Sequence, residues 1–425
     1  MDGEIVKIYS CGPTVYSSPT IGNLRAYIFT DILKKSLRHI GGFEIYDVIN
    51  ITDVGHLQSD ADEGEDKIDE AARKKKITPA DIAKQYTDEF IRDTILLNID
   101  VPQIWAPATD YVKEMVQHVR QLEERGFTYI TSDGVYYDSS KFADYYKLRG
   151  GKSDDRVGSR VDFGEKRNKN DFCLWRFAKP TALQKFDSPW GAGTPGWHIE
   201  CSAIARKYLG DQFDIHTGGV DHIPIHHTNE RAQTQALTKK EMARFWMHNE
   251  FIKINGTKMS KSLGNAYTLT NLTDRGYSPL HFRYLCLMTH YRTIMNFTWE
   301  SLDSAKKSYE NLVRQIKKNK VPVDADEFSS ALVDDLNTAK AMAALWKATP
   351  EQALEFDKVL SLGLKEALEE KFMEIPENVA ELVQIRAECK KNREFQKSDQ
   401  IRDEIKALGY EVLDTSNGPI IQPIR

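Results

Sequence analysis

The hydrophobic pattern is clearest at the start of the chain. EIVKIYS (4–10) reads as a strand running into a core, and CGPTVYSSPTIGN follows as a loop rich in glycine and proline. In LRAYIFTDILKKSLRHI (24–40) the apolar residues recur at three and four, and Gly41-Gly42 is a natural stop, so the spacing predicts a helix. EIYDVINIT (44–52) is a β-branched run with the continuous hydrophobicity of a buried parallel strand. Strand, loop, helix and strand in this order predict an α/β domain of the doubly wound kind. Ligands of such folds sit at the carboxyl ends of the strands, and Cys11 lies at one of them.

SDADEGEDKIDEAARKKK (59–76) is a charge run, read as a solvated loop and helix face. TPADIAKQY then opens a helix, with Thr78 as cap, Pro79 at the first position and Asp81 at the third. Short strands and loops are expected over 130–165, inside an insertion of about 115–190 that separates two halves of the α/β domain. The second half holds a strand, a glycine loop and a helix in DQFDIHTGGVDHIPIHHTNERAQTQALT, and another strand with a polar loop in FWMHNEFIKINGTKMSKSLGN. The expected domains are 1–276, a helical region at 277–375 and a small module at 376–425. No repeat at solenoid periods is present.

Composition changes this picture little. The chain has 425 residues and a net charge of −5, so nothing global advertises nucleic acid, although a local basic patch can still bind RNA. No apolar run approaches the roughly 18 residues of a membrane helix, and the N-terminus shows no secretory pattern. Five scattered cysteines suggest no disulfide framework and point to a reducing cytoplasm.

Three stretches carry chemistry. In HTGGVDHIPIHHTNE (216–230), His226 and Glu230 stand four apart, which on a helix puts both on one face and suggests half of a metal site. In TKMSKSLGN, Lys258 and Lys261 lie three apart in a loop able to close on a polyphosphate. Taken alone, such a pair is an ordinary surface loop. In PTIGNLRA, a helix opens after a strand, its N–H groups suited to phosphate, and Gly22 permits close approach. Taken alone, that is a helix entry with a turn glycine.

Together with CGPTVY (11–16), NITDV (50–54), DFCLWR (171–176), SPWGAGTPGWHIECSA (188–203) and the tail SDQIRDEIKALGYEVLDTSNG (398–418), these stretches resemble the cysteinyl members of the class I aminoacyl-tRNA synthetases over nearly the whole chain. The resemblance implies a Rossmann-like catalytic domain with an insertion, a stem-contact and helical bundle domain, and a C-terminal anticodon-binding module. It implies ATP-dependent ligation of L-cysteine to cysteine tRNA through a cysteinyl adenylate, by a cytoplasmic monomer. It places one Zn²⁺ on Cys11, Cys201, His226 and Glu230. Two thiolates, an imidazole and a carboxylate suit that ion. Thr14 and Trp197 fall at the cysteine pocket. Gly12, Gly22, His216, Gly218, Gly219 and Asp221 fall on the ATP site, with Mg²⁺ accompanying the nucleotide. Thr20, Asn23, Lys258 and Lys261 fall on the catalytic signatures, and Asp399 and Arg402 on the tRNA-reading tail. His198, His222 and His227 are expected to orient neighbours rather than move protons, and Cys173, Cys286 and Cys389 to be structural.

The chain departs from the family pattern in two places. The signature normally begins with histidine, and here Thr20 stands first, keeping a hydrogen-bond donor but losing reach. The region before the tail is short, and the ending GPIIQPIR is unusual. One rival reading is the mycothiol-type cysteine ligase, which shares the catalytic core and lacks the tail matched by Asp399, Arg402 and Asp403. Another is a tRNA-binding or regulatory protein with an inactive site, whose only foothold is Thr20.

Overall fold

The computed structural model describes residues 4–55, 66–151, 165–260, 263–369, 376–415 and 418–423. It divides into two compact units, Met1–Ala367 and Leu368–Arg425. Among the described residues no helix is long and apolar enough to cross a membrane.

In the first unit β1 (Ile5–Ser10) leads through the glycine–proline loop into α1 (Ile21–His39), then β2 (Glu44–Ile51), α2 (Lys67–Lys75), α3 (Pro79–Leu96), β3 (Ile104–Pro107) and α4 (Val112–Glu124). The helix α1 begins three residues before its apolar pattern because Thr20 caps it. The Thr20 hydroxyl accepts from the Asn23 amide, and the Asn23 side chain accepts from the Thr20 amide. Thr78 and Asp81 cap α3 in the same reciprocal way, with Pro79 at the first position. Of the charge run, 59–65 lies outside the described residues, and α2 turns Ile68 and Ala72 inward.

A four-stranded antiparallel sheet follows, β4 (Thr128–Ile130), β5 (Gly134–Tyr137), β6 (Phe172–Phe177) and β7 (Gly193–Pro195), ordered as in the chain. The α/β layer then resumes with α5 (Trp197–Leu209), β8 (Phe213–Gly219), α6 (His226–Thr238) and β9 (Ala243–Asn249).

The main sheet is parallel throughout, in the order β3-β2-β1-β8-β9. Its first three strands step one way from β1, and β8 and β9 step the other. The topological switch therefore falls between β1 and β8, where adjacent loops diverge and leave a crevice at the strands' carboxyl ends. Val6, Ile8 and Tyr9 of β1 are fully buried between the helical layers.

Beyond β9 come β10 (Ile252–Ile254), β11 (Thr257–Lys258), α7 (Leu269–Thr273), α8 (Pro279–Leu287), β12 (Met295–Phe297) and α9 (Trp299–Lys318). The helices α10 (Ala325–Val333), α11 (Thr338–Leu345), α12 (Pro350–Leu360) and α13 (Leu364–Glu369) complete the region. It is tied to α1 by a buried ion pair, Arg283 Nη2 to Asp31 Oδ2 at 2.6 Å, which also receives Lys35 Nζ at 2.9 Å.

The second unit holds α14 (Glu377–Lys391), α15 (Phe395–Ala407) and a hairpin of β13 (Tyr410–Thr415) with β14 (Gly418–Pro423). Its small core comprises Val379, Val383, Cys389, Ile401, Ile405 and Val412.

Candidate active site

A cavity of about 700 Å³ opens at the switch point. Its walls are the loop after β1, the first turns of α1 and α5, the ends of β8 and β9, and the β10–β11 hairpin. Of the residues singled out from the sequence, Cys11, Gly12, Thr14, Thr20, Gly22, Asn23, Trp197, Cys201, Gly218, Gly219, Asp221, His226 and Lys258 line it. Glu230 sits directly behind His226, and His216 behind Glu230, their side chains fully buried. Lys261 lies outside the described residues. Asp399 and Arg402 are exposed on α15 of the second unit.

One wall gathers metal-binding side chains. Cys11 comes from the carboxyl end of β1, Cys201 from α5, and His226 and Glu230 from one face of α6. Cys11 Sγ lies 4.0 Å from Cys201 Sγ and 3.8 Å from Glu230 Oε1. His226 Nε2 lies 3.5 Å from Cys201 Sγ and 3.0 Å from Glu230 Oε1. All four donor atoms fall within 4.8 Å of one another. Tetrahedral zinc with bonds of 2.0–2.3 Å separates its ligand atoms by about 3.3–3.8 Å, so the cluster needs only small adjustments to hold that ion. Cys11, His216, His227 and Glu230 form a second cluster of the same size. Only Cys11 of that group lines the cavity, against three members of the first.

The protonation pattern fits a cation site. Burial raises the Cys201 thiol, but the hydrogen bond from Cys11 and the charge of His226 outweigh it and leave the group at about 6. Burial, then Cys201 and Glu230, push the Cys11 thiol well up. Burial would raise Glu230, yet His216 and His226 hold it far below the usual carboxylate range. Burial would lower His226, and the negative Glu230 and Cys201 carry it up to about 10 instead. Cys201 and Glu230 are thus favoured as anions beside a protonated His226, a set of donors whose negative charge a dication would match.

Surrounding groups fix these donors. His198 Nδ1 meets His226 Nδ1 at 2.9 Å, so the ring presents Nε2 to the cluster. His216 Nε2 meets Glu230 Oε2 at 2.8 Å, leaving Oε1 to the cluster. Trp197 stacks on the His226 ring at 4.1 Å.

The family model described as tRNA synthetases class I (C) catalytic domain matches residues 1–307. The chain is 44% identical to Cysteine--tRNA ligase 1 of Burkholderia lata, over 97% of this chain and 91% of that protein. It is 39% identical to the Cysteine--tRNA ligase of Treponema denticola, over 95% and 92% respectively. The chain belongs to the cysteine–tRNA ligase family.

Solved structures show the fold shared with other members of class I. Mycobacterium tuberculosis methionyl-tRNA synthetase in complex with methionyl-adenylate matches with a TM-score of 0.60 at 15% identity, over 91% of this chain and 84% of that one. The ternary LeuRS–tRNA–LeuAMS complex of Agrobacterium radiobacter K84 matches at 0.58 and 11% identity, over 87% and 83%.

Within this cysteine–tRNA ligase fold, Thr20 has a local task. Its hydroxyl lies 2.7 Å from Asn23 Oδ1 and caps α1, so the pair shapes the helix start that borders the cavity. The Ile21 amide donates to the Tyr267 carbonyl at 2.8 Å, joining that start to the chain beyond the lysine loop.

Sequence reading assigned no role to Asn50. Its Oδ1 accepts from the Gly12 amide at 2.8 Å and lies 3.6 Å from Cys201 Sγ, while Nδ2 donates to Thr52 Oγ1 at 3.1 Å. One amide therefore braces both cysteine-bearing segments. The NITDV stretch was the available signal, read only as part of the resemblance.

Proposed function

We propose that this chain activates L-cysteine with ATP and transfers it to cysteine tRNA, with Zn²⁺ held by Cys11, Cys201, His226 and Glu230. One observation carries the reading: this donor cluster, the N-terminus of α1 and Lys258 face the same cavity. When bound, zinc would supply a thiophilic centre that a substrate thiol matches and a serine hydroxyl does not. A purely apolar pocket separates such hydroxyl analogues by only about 10²-fold.

The protein's own groups account for the remaining chemistry. Trp197 and Thr14 border the amino-acid end of the cavity. Gly218 has no room for a side chain, since a Cβ there would lie 2.7 Å from His222 Nδ1 and His227 Cε1. The carboxyl end of β8 thus stays bare backbone, open to a flat nucleoside, with the exposed Asp221 at hand for a ribose. The Ile21 and Asn23 amides are taken by the Tyr267 carbonyl and the Thr20 hydroxyl, so it is the positive end of the α1 dipole that favours incoming phosphates there. The cysteine carboxylate attacks the α-phosphorus, pyrophosphate leaves, and Lys258 and Lys261 balance the charge that develops, to which Mg²⁺ brought with the nucleotide would add. The adenylate then yields its cysteine to the terminal ribose of tRNA. His216, behind Glu230, orients that carboxylate rather than meeting nucleotide. We assign 1–276 to catalysis, 277–375 to the stem-contact and helical region and 376–425 to anticodon reading, by a monomer in the cytoplasm.

The amino-sugar ligase reading is set aside, because the curated relatives that match nearly the full chain are tRNA ligases. Cysteine-dependent pyrophosphate exchange, followed by charging of total tRNA with labelled cysteine, tests the proposal. Exchange without charging would restore the rival.

Two substitutions extend the test. Lys258→Ala and Lys261→Ala should each slow adenylate formation while leaving the cysteine KM nearly unchanged, because their charge matters most in the transition state. A pure loss of cysteine binding would point to a structural role. Arg402→Ala should leave exchange intact and raise the tRNA KM by about 5–150-fold, the equivalent of the ~1–3 kcal/mol of a bidentate base contact. Equal charging of cysteine tRNA and an anticodon-altered tRNA by the intact enzyme would remove the anticodon assignment.

A further inference from the structure

One buried polar device plays no part in the reaction scheme. Arg25 lies on α1, just past the TIGN turn, and is only 3% exposed. Its guanidinium donates to four main-chain carbonyls. Nη1 reaches Glu250 O at 2.9 Å and Phe251 O at 2.8 Å. Nη2 reaches His290 O at 3.2 Å and Thr293 O at 2.7 Å.

These carbonyls belong to two neighbouring segments, joined by the Glu250 amide donating to the Tyr291 carbonyl at 2.8 Å, and the first of them borders the cavity. Glu250 and Phe251 line it and lead directly into β10, whose hairpin partner β11 ends at Lys258. The stretch from His290 to Thr293 leads into β12, which pairs in parallel with β10. That stretch is anchored on its far side, where Tyr291 Oη donates to Asp335 Oδ1 at 2.6 Å and Arg292 Nε pairs with Asp335 Oδ2 at 2.6 Å. Gly22 and Ala26 of the same helix line the cavity on its other wall.

Resting on the function proposed above, we infer that Arg25 is a positioning residue that sets the gap between the phosphate-binding start of α1 and the hairpin carrying the lysine loop. The fork of a guanidinium is what allows one side chain to hold two pairs of carbonyls. An ammonium is a single point with three donors and cannot span both pairs. On that reading cysteine is held beside Cys11, Cys201 and His226, and the four bonds of Arg25 reach none of these residues. Loss of the clamp therefore shifts Lys258 against the helix start without altering the cysteine pocket. A displacement near 1 Å costs about 10²-fold in rate.

The experiment compares full-length wild type with Arg25→Met, Arg25→Lys and Arg25→Ala. Readouts are pyrophosphate exchange, metal content, thermal unfolding, and rescue of Arg25→Ala by millimolar guanidinium. Arg25→Met should lose about 10²-fold in exchange kcat, with cysteine KM within about twofold and metal content unchanged. Arg25→Lys should retain more, and guanidinium should restore part of the Arg25→Ala loss. A cysteine KM that rises in step with the fall in kcat would overturn the inference. So would full exchange in Arg25→Met, or variants that fail to fold even as Lys. Absence of cysteine-dependent exchange in wild type would instead overturn the functional reading beneath it.

Discussion

Cys201→Ser is expected to abolish both metal binding and cysteine-dependent pyrophosphate exchange. The serine hydroxyl is shorter and harder, and it does not ionise near neutral pH, whereas the Cys201 thiol is already drawn down to about 6 by its neighbours. It replaces one of two soft donors in a cluster whose remaining members are one thiol, one imidazole and one carboxylate. The loss should exceed the 10–100-fold that removal of an outer partner typically costs. His198→Ala supplies that comparison, because it deletes only the 2.9 Å contact that orients His226. Cys389→Ser, in the core of the second unit, should keep metal and exchange. Metal content by atomic emission, read beside exchange, separates the two effects. Full exchange by a metal-free Cys201→Ser protein would end the case for a metal that selects the thiol.

That result would test a site only half legible in the sequence. The four-residue spacing of His226 and Glu230 was enough to place both on one helical face, because α6 keeps its periodicity. The strand–loop–helix order was enough to put Cys11 at a carboxyl end. Cys201 is different: 190 residues separate it from Cys11, and no local pattern marks it, so its place came from resemblance alone. His216 shows how a strand redirects a side chain. It was grouped with the glycine loop, yet its position in β8 turns it into the layer behind the cavity, against Glu230 Oε2.

The helix α1 shows the same limit at larger scale. A periodic reading gives one face to the core and the charged remainder to water. Here Arg25, Asp31, Lys34 and Lys35 are all at most 4% exposed, because the helix has neighbours on every side. Their charges are met one by one, Lys34 by Asp47 at 2.7 Å and Asp31 by both Lys35 and Arg283. Lys35 stands four residues from Asp31 on the same helix, but Asp47 and Arg283 come from other elements, and no local window can show those. Arg25 was invisible for this reason.

The second large effect should come from a residue that carries no functional group. Gly12→Ala would place a Cβ 1.4 Å from the Asn50 carbonyl oxygen, so the end of β1 or the end of β2 must move. Movement there breaks the Gly12 amide's bond to Asn50 Oδ1, and with it the brace between the Cys11 loop and Cys201. Overpacking of this kind costs about 1–3 kcal/mol of stability. The functional loss should be larger than stability alone explains, about 10²-fold or more, because Cys11 and the backbone facing cysteine shift together. Gly22→Ala is the matched control. Its Cβ would meet Met259 Sδ and Thr20 Oγ1, both at 3.4 Å, and the methionine end can yield. Gly22→Ala should therefore keep its unfolding temperature, its metal and its cysteine KM, and raise only the ATP KM, since the new methyl stands where a phosphate approaches the helix start. Unfolding temperature, metal content and separate KM values for cysteine and ATP distinguish the two variants. If Gly12→Ala keeps wild-type metal content and exchange, the close packing of β1 on β2 does not hold the cysteine ligands, and the role given to Asn50 falls with it.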